Sequence, residues 1–120
     1  MGAIELTAEN FESTITDNAI VLVDFWASWC GPCQQFAPIY EAASQANEDI
    51  VFGSINTEEQ QQLAAAAQIT SIPTLMAFKG GELVFRQPGA MPADALSQFI
   101  TALRELDVEA VKAAQGEQAE

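Results

Sequence analysis

The sequence predicts a small α/β domain, a central mixed β-sheet flanked by helices on both faces. Three observations carry that expectation. The apolar runs Ile20–Trp26 and Ile50–Ile55 are separated by a stretch with apolar residues at helical spacing, and a strand–helix–strand unit of this kind is parallel and right-handed. Gly80-Gly81 lies between two further apolar runs, which signals a hairpin and an antiparallel return. At 120 residues and 49% hydrophobic composition, the chain is one domain with an ordinary core and needs no metal or structural disulfide.

Taken in order, Leu6 to Phe11 reads as a helix start, with Thr7 as cap and Leu6 and Phe11 at the two ends of a hydrophobic staple. Phe11 and Ile15 share one face, and Asp17-Asn18 ends the element. Ile20–Trp26 is apolar on both alternating faces, as a buried central strand should be. Asp24 interrupts it. A buried, unpaired carboxylate costs several kcal/mol, so its pKa should rise; the plainer reading is an acid hydrogen-bonded to solvent at a strand edge. From Cys33 a helix continues with Phe36, Ile39, Tyr40 and Ala43 at core-facing spacing, and Pro38 implies a kink within it. Ile50–Ile55 is the next strand. The alanine-rich stretch Glu58–Gln68 is a helix, and Thr70-Ser71-Ile72-Pro73 turns into a strand over Thr74–Phe78. Glu82–Gln87 returns as an edge strand, with Glu82 and Arg86 exposed. A helix from about Pro92 carries Leu96, Phe99, Ile100, Leu103 and Leu106 inward. Residues 1–106 form the domain. Residues 107–120 are an extension, weakly helical over Val108–Gln115 and frayed over 116–120.

Charge excludes several functions. Four Lys and Arg against 17 Asp and Glu give −13, and all four bases lie beyond residue 78. Phosphate backbones and anionic membranes would be repelled, so neither nucleic acid nor membrane is an expected partner. The chain has no histidine, and two cysteines alone fall short of the four ligands zinc requires. No apolar run approaches membrane-spanning length, and Met1 to Glu5 shows no secretory signal. A reducing cytoplasm is the expected location, where paired cysteines are more often catalytic than structural.

Those two cysteines stand in Trp29-Cys30-Gly31-Pro32-Cys33. A loop closed by four residues removes little chain entropy, so as a staple this disulfide would contribute only roughly 2 kcal/mol. The spacing suits making and breaking the bond. Gly31 and Pro32 read as the turn into a helix, because proline in a first turn loses no useful N–H. Cys30 then sits at the amino end, where unpaired N–H groups and the helix dipole favour a thiolate. Cys33, one turn inward, should be shielded, so that one sulfur is exposed and activated and the other recessed. Trp26 lies inside its strand and reads as packing. Trp29 lies outside regular structure beside the reactive cysteine and reads as a flat contact for partner chains. Met91 is either an adaptable contact or a loop residue tucked against the core.

With Val21-Leu22-Val23-Asp24-Phe25-Trp26 ahead of this motif and Ile72-Pro73-Thr74 after it, the chain closely resembles the thioredoxin family from about Leu6 to Leu106. The resemblance implies a thioredoxin-like fold and the reduction of disulfides in other proteins. Cys30 would attack, Cys33 would resolve, and Asp24 would accept or relay the proton of Cys33. It also implies a cis Ile72–Pro73 bond opposite the cysteines, with the Ile72 backbone pairing to an extended substrate segment. Trp29, Gly31, Pro32, Ile72, Pro73, Gly89 and Ala90 would shape the substrate groove. Such a protein carries no cofactor. It is recharged by a thioredoxin reductase, a flavoprotein drawing on NADPH, and is expected to act as a monomer on disulfide-containing protein substrates. Two departures stand out. Relatives often place lysines where this chain has Gln34 and, by gapless alignment from Ile72-Pro73, Ser54. The missing cation should leave Asp24 less compensated and its pKa higher. The intervening Gly-Pro resembles reducing members. The main rival is a non-catalytic binding or chaperone-like module that keeps the fold without cycling its cysteines. An iron–sulfur cluster shared through Cys30 is a remoter one.

Overall fold

The structure, a computed structural model, describes residues 2–118. Ten elements follow in chain order: β1 (Ile4–Glu5), α1 (Phe11–Asp17), β2 (Ile20–Trp26), α2 (Gly31–Ala46), β3 (Val51–Asn56), α3 (Gln61–Ala66), β4 (Thr74–Lys79), β5 (Glu82–Pro88), α4 (Ala93–Glu105) and α5 (Val108–Gln118). The strands form one sheet in the order β1-β3-β2-β4-β5. β1, β3 and β2 run parallel, while β4 and β5 are each antiparallel to the strand before them in that order. The mixed sheet and the parallel crossover through α2 are as the sequence predicts.

The central strand explains why both faces are covered. β2 is buried along almost its whole length, and its side chains alternate between two cores. Ile20 and Leu22 join Phe36 and Tyr40 of α2 and Leu96, Ile100 and Leu103 of α4. Val21, Val23 and Phe25 join Leu6, Ile15 of α1 and Ile55, with Phe11 and Leu63 packed against them.

Several boundaries differ from expectation. The strand β1 has no counterpart in the sequence reading, because two residues carry no period. Leu6 to Asn10 is a turn and not the first turn of the helix: Asn10 Oδ1 accepts from the Thr7 N–H at 2.7 Å, and Phe11 N–H donates to Thr7 O at 3.0 Å. α3 is shorter than Glu58–Gln68. Its amino end is diverted into a turn in which Glu59 and Gln60 N–H groups donate to Asn56 O, and its carboxyl end stops at Ala66, ahead of Gln68, whose φ is +58°. Pro38 lies inside one continuous helix. Glu82 is half-buried where exposure was expected, and a register shift between Ala77 and Phe78 accompanies that change along β5. α5 runs to Gln118, past the expected end at Gln115, and Ala119 and Glu120 lie outside the described residues.

Candidate functional site

β2 carries the chain from the buried sheet to one end of the domain. Ala27 is fully buried, and Cys30 N–H donates to Ala27 O at 3.2 Å, closing a turn. Cys30 is the N-cap of α2, and its Sγ accepts from the Cys33 N–H at 3.2 Å. The sulfur thus occupies the place a serine oxygen would take at a helix start, among unpaired N–H groups that favour negative charge. Gly31 and Pro32 form the exposed first turn. Cys30 and Cys33 are joined as a disulfide with Cα atoms 5.2 Å apart.

Opposite lies the loop before β4. The Ile72–Pro73 bond is cis, and Ile72 O approaches Cys30 Sγ to 3.8 Å. A disulfide sulfur has no proton, so this is a contact, convertible to a hydrogen bond only when the thiol forms. Gly89 N–H donates to Pro73 O at 2.8 Å. Its φ of +96° is one that side-chain-bearing residues rarely adopt, so glycine is required to bring this corner against the proline. Ala90, next to it, is exposed. Trp29 is 71% exposed and borders a groove of about 350 Å³ with Ala64, Ile69, Ser71 and Ile72. Trp29, Cys30, Ile72, Pro73 and Gly89 are therefore assembled at one end of the sheet.

Exposure corrects one expectation. In this disulfide form Cys30 is 4% and Cys33 3% exposed, so the predicted contrast between a reachable and a recessed cysteine is absent. The bond holds the Cys30 sulfur between the helix end and the Ile72 carbonyl, with Cys33 on the side of the Asp24 cavity.

Behind the disulfide is a cavity of about 520 Å³ whose wall includes Cys33, Asp24, Trp26, Tyr40, Glu41 and Ser54. Asp24 is 4% exposed, and its Oδ1 has no hydrogen-bond partner among the described residues. Burial alone pushes its pKa up from 3.8 to about 7. The solvated strand-edge reading of Asp24 is thereby excluded. Ser54 pairs in register with Asp24, as the gapless alignment placed it. Tyr40 donates its hydroxyl to Gly53 O at 2.8 Å and not to Asp24, although burial and then the nearby Asp24 charge push the Tyr40 pKa up. Trp26 is only partly buried and lines this cavity, so it is not simply core. Met91 is partly buried and packs against the core, in keeping with the reading of a loop residue tucked there.

Sequence reasoning missed one part of the site. Glu58, read as a helical residue, instead accepts at Oε1 from both the Ser28 N–H (3.0 Å) and the Ser28 hydroxyl (2.7 Å). Gln34 Nε2 donates to Ser28 O at 2.7 Å. A serine directly before the Trp-Cys pair was the only signal available.

Among the described residues no helix is long and apolar enough to cross a membrane. The thioredoxin family model matches residues 2–102. A Streptomyces coelicolor protein provisionally named thioredoxin 2 is 55% identical over 96% of this chain and 86% of its own length. Thioredoxin 1 of a Nostoc species is 46% identical over 82% of this chain and 94% of its own. Among solved structures, a point mutant of the Halobacterium salinarum thioredoxin superposes with a TM-score of 0.82 at 34% identity, covering 88% of this chain and 94% of that one. With its sheet order, its helix-capping disulfide and these relatives in agreement, the chain belongs to the thioredoxin family, as a protein thiol–disulfide oxidoreductase cycling through Cys30 and Cys33.

Proposed function

We infer that Cys30 is the attacking sulfur, Cys33 the resolving one, and Asp24 the proton acceptor for Cys33. The observation that carries this assignment is the position of the disulfide, with Cys30 capping α2 and Cys33 bordering the Asp24 cavity. In the reduced protein the Cys30 thiolate attacks one sulfur of a substrate disulfide, and the other sulfur leaves as a thiolate and takes a proton. Cys33 gives its proton to Asp24 and attacks Cys30. The mixed disulfide breaks, the second substrate thiol departs, and the Cys30–Cys33 bond has received the oxidation. An acid with a pKa of about 7 is matched to this transfer at neutral pH.

Trp29, Gly31, Pro32, Ile72, Pro73, Gly89 and Ala90 form the substrate groove, in which an extended segment pairs with the Ile72 backbone. The protein acts as a cytoplasmic monomer in the reducing direction, and a flavoprotein thioredoxin reductase restores its dithiol from NADPH. Residues 107–120 are an extension of the 1–106 domain; contact of α5 with β5 supports that reading.

Insulin reduction by dithiothreitol, with and without the protein, tests the function. Catalysed precipitation of the freed chains is the expected result, and suppressed aggregation without catalysis would favour the binding module. Cys33→Ser should accumulate a mixed disulfide and Cys30→Ser should not. The reverse outcome exchanges the two roles.

A further inference from the structure

The loop between β2 and the reactive cysteine is held from outside. Trp26 O accepts from both the Thr57 N–H (2.8 Å) and the Thr57 hydroxyl (3.0 Å). Two residues on, the Ser28 peptide is gripped on both sides. Its N–H and hydroxyl reach the Glu58 carboxylate, and its carbonyl takes the Gln34 amide from the first turns of α2. Glu58 is itself fixed, since its N–H donates to Asn56 Oδ1 at 2.9 Å. Ser28 therefore joins three pieces of structure: the segment leaving β3, the loop, and the helix that Cys30 caps. The next residue is Trp29, whose side chain has no comparable restraint among the described residues and is the most exposed large apolar group at the site.

A side chain that contacts partner proteins is useful only if its backbone is pre-set, because ordering a loop on binding subtracts from affinity. We propose that Glu58 and Gln34 are positioning residues that clamp Ser28 and thereby pre-set Trp29 and Cys30 for protein disulfides. Hydrogen bonds to the ionised carboxylate are the stronger kind, and they hold the Glu58 pKa below its ordinary value, the Ser28 N–H first and the hydroxyl second. The clamp is thus formed at neutral pH. Glu58 touches neither sulfur and acts through Ser28.

The proposal rests on Cys30 being the attacking sulfur, which the mixed-disulfide trap tests separately. The decisive experiment compares steady-state insulin reduction by the full-length wild type and by Glu58→Ala, Glu58→Gln, Gln34→Ala, the Gln34→Ala/Glu58→Ala double variant and Glu59→Gln. Glu58→Ala should raise KM about fivefold with kcat nearly unchanged, the mark of lost productive docking. Glutamine keeps an acceptor oxygen, so Glu58→Gln should stay within about twofold of wild type. Gln34→Ala should raise KM in the same direction and be less than additive with Glu58→Ala, because both act on one peptide. Glu59→Gln, an equal charge change one residue away, should leave KM alone. Thermal melts show whether each variant is folded. Wild-type KM in folded Glu58→Ala overturns the proposal. So does an equal rise in Glu58→Gln and Glu58→Ala, which would assign the effect to charge. Should Glu58→Ala not fold, a wild-type KM in Gln34→Ala overturns it equally.

Discussion

Asp24 and Ser54 face each other in register on the neighbouring parallel strands β2 and β3, and both line the cavity behind Cys33. The carboxyl of Asp24 has only a hydroxyl-bearing neighbour across the strand, so desolvation acts on it without an opposing charge. This gives a stability prediction with a definite sign. Below pH 3.8 the acid is protonated in both folded and unfolded chains and costs nothing. Between 3.8 and about 7 the unfolded chain ionises and the folded one does not, so stability falls as pH rises. The full difference, about 4 kcal/mol, is reached above pH 7. Asp24→Asn removes the ionisation. It should stabilise the oxidised protein by an amount approaching that figure at pH 8 and by little at pH 3.5. Denaturant midpoints measured at the two pH values decide it; an equal gain at both would show that titration is not the cause.

Restoring a cation across the strand should reverse this. A lysine at position 54 would have the cavity beside Asp24 into which to extend. An opposite charge within hydrogen-bonding reach lowers a carboxyl pKa by about 1–3 units. Ser54→Lys should therefore bring the Asp24 titration down from about 7 by at least one unit, read from its carboxyl carbon resonance. It should also slow catalysis at pH 8, where Asp24 is ionised with or without the lysine and the acceptor has become a weaker base. An unchanged titration would mean that the lysine turns to solvent.

Lys79 lies at the opposite end of the sheet and has a structural task. Its Nζ donates at 2.8 Å to each of Leu103 O, Arg104 O and Leu106 O, three carbonyls at the end of α4. A cation there satisfies groups the helix leaves open and complements its dipole. Lys79→Met keeps much of the stem but loses all three bonds, and should cost about 1–2 kcal/mol while leaving insulin reduction unchanged. A loss in activity with no loss in stability would contradict this assignment.

What the sequence made legible follows from the range of the interactions involved. An apolar run on both faces identified β2, a turn ending in proline before an apolar run identified β4, and helical spacing identified α2 and the inward stripe of α4, because burial selects residue type at each of those positions. The motif located Cys30 and Cys33, and family resemblance supplied the cis bond at Pro73. The Ser28–Glu58 contact spans thirty positions and joins two polar, exposed residues, neither of which burial constrains. β1 was missed for a related reason. Ile4 and Glu5 are both exposed, so their strand conformation comes from pairing with Gly53 and Ser54 and not from a buried face.

The same edge of the sheet explains a glycine that no turn requires. Gly53 sits mid-strand between Ile4 of β1 and Val23 of β2. A Cβ built there would run into the Leu6 side chain, 2.8 Å from its Cγ, and would lie 3.5 Å from Leu22 O. Leu6 is fully buried and closes the core on the α1 side, so it has nowhere to retreat. Its N–H is also fixed, donating to Ser54 O at 2.8 Å. Alanine at 53 should therefore overpack this corner and cost about 1–3 kcal/mol, despite the usual gain from replacing a strand glycine. Trimming the obstacle provides the check: Leu6→Val should be destabilising alone, yet the double variant should be more stable than the two single losses added together. Strict additivity in a double-mutant cycle would show that the strain lies elsewhere than between these two side chains.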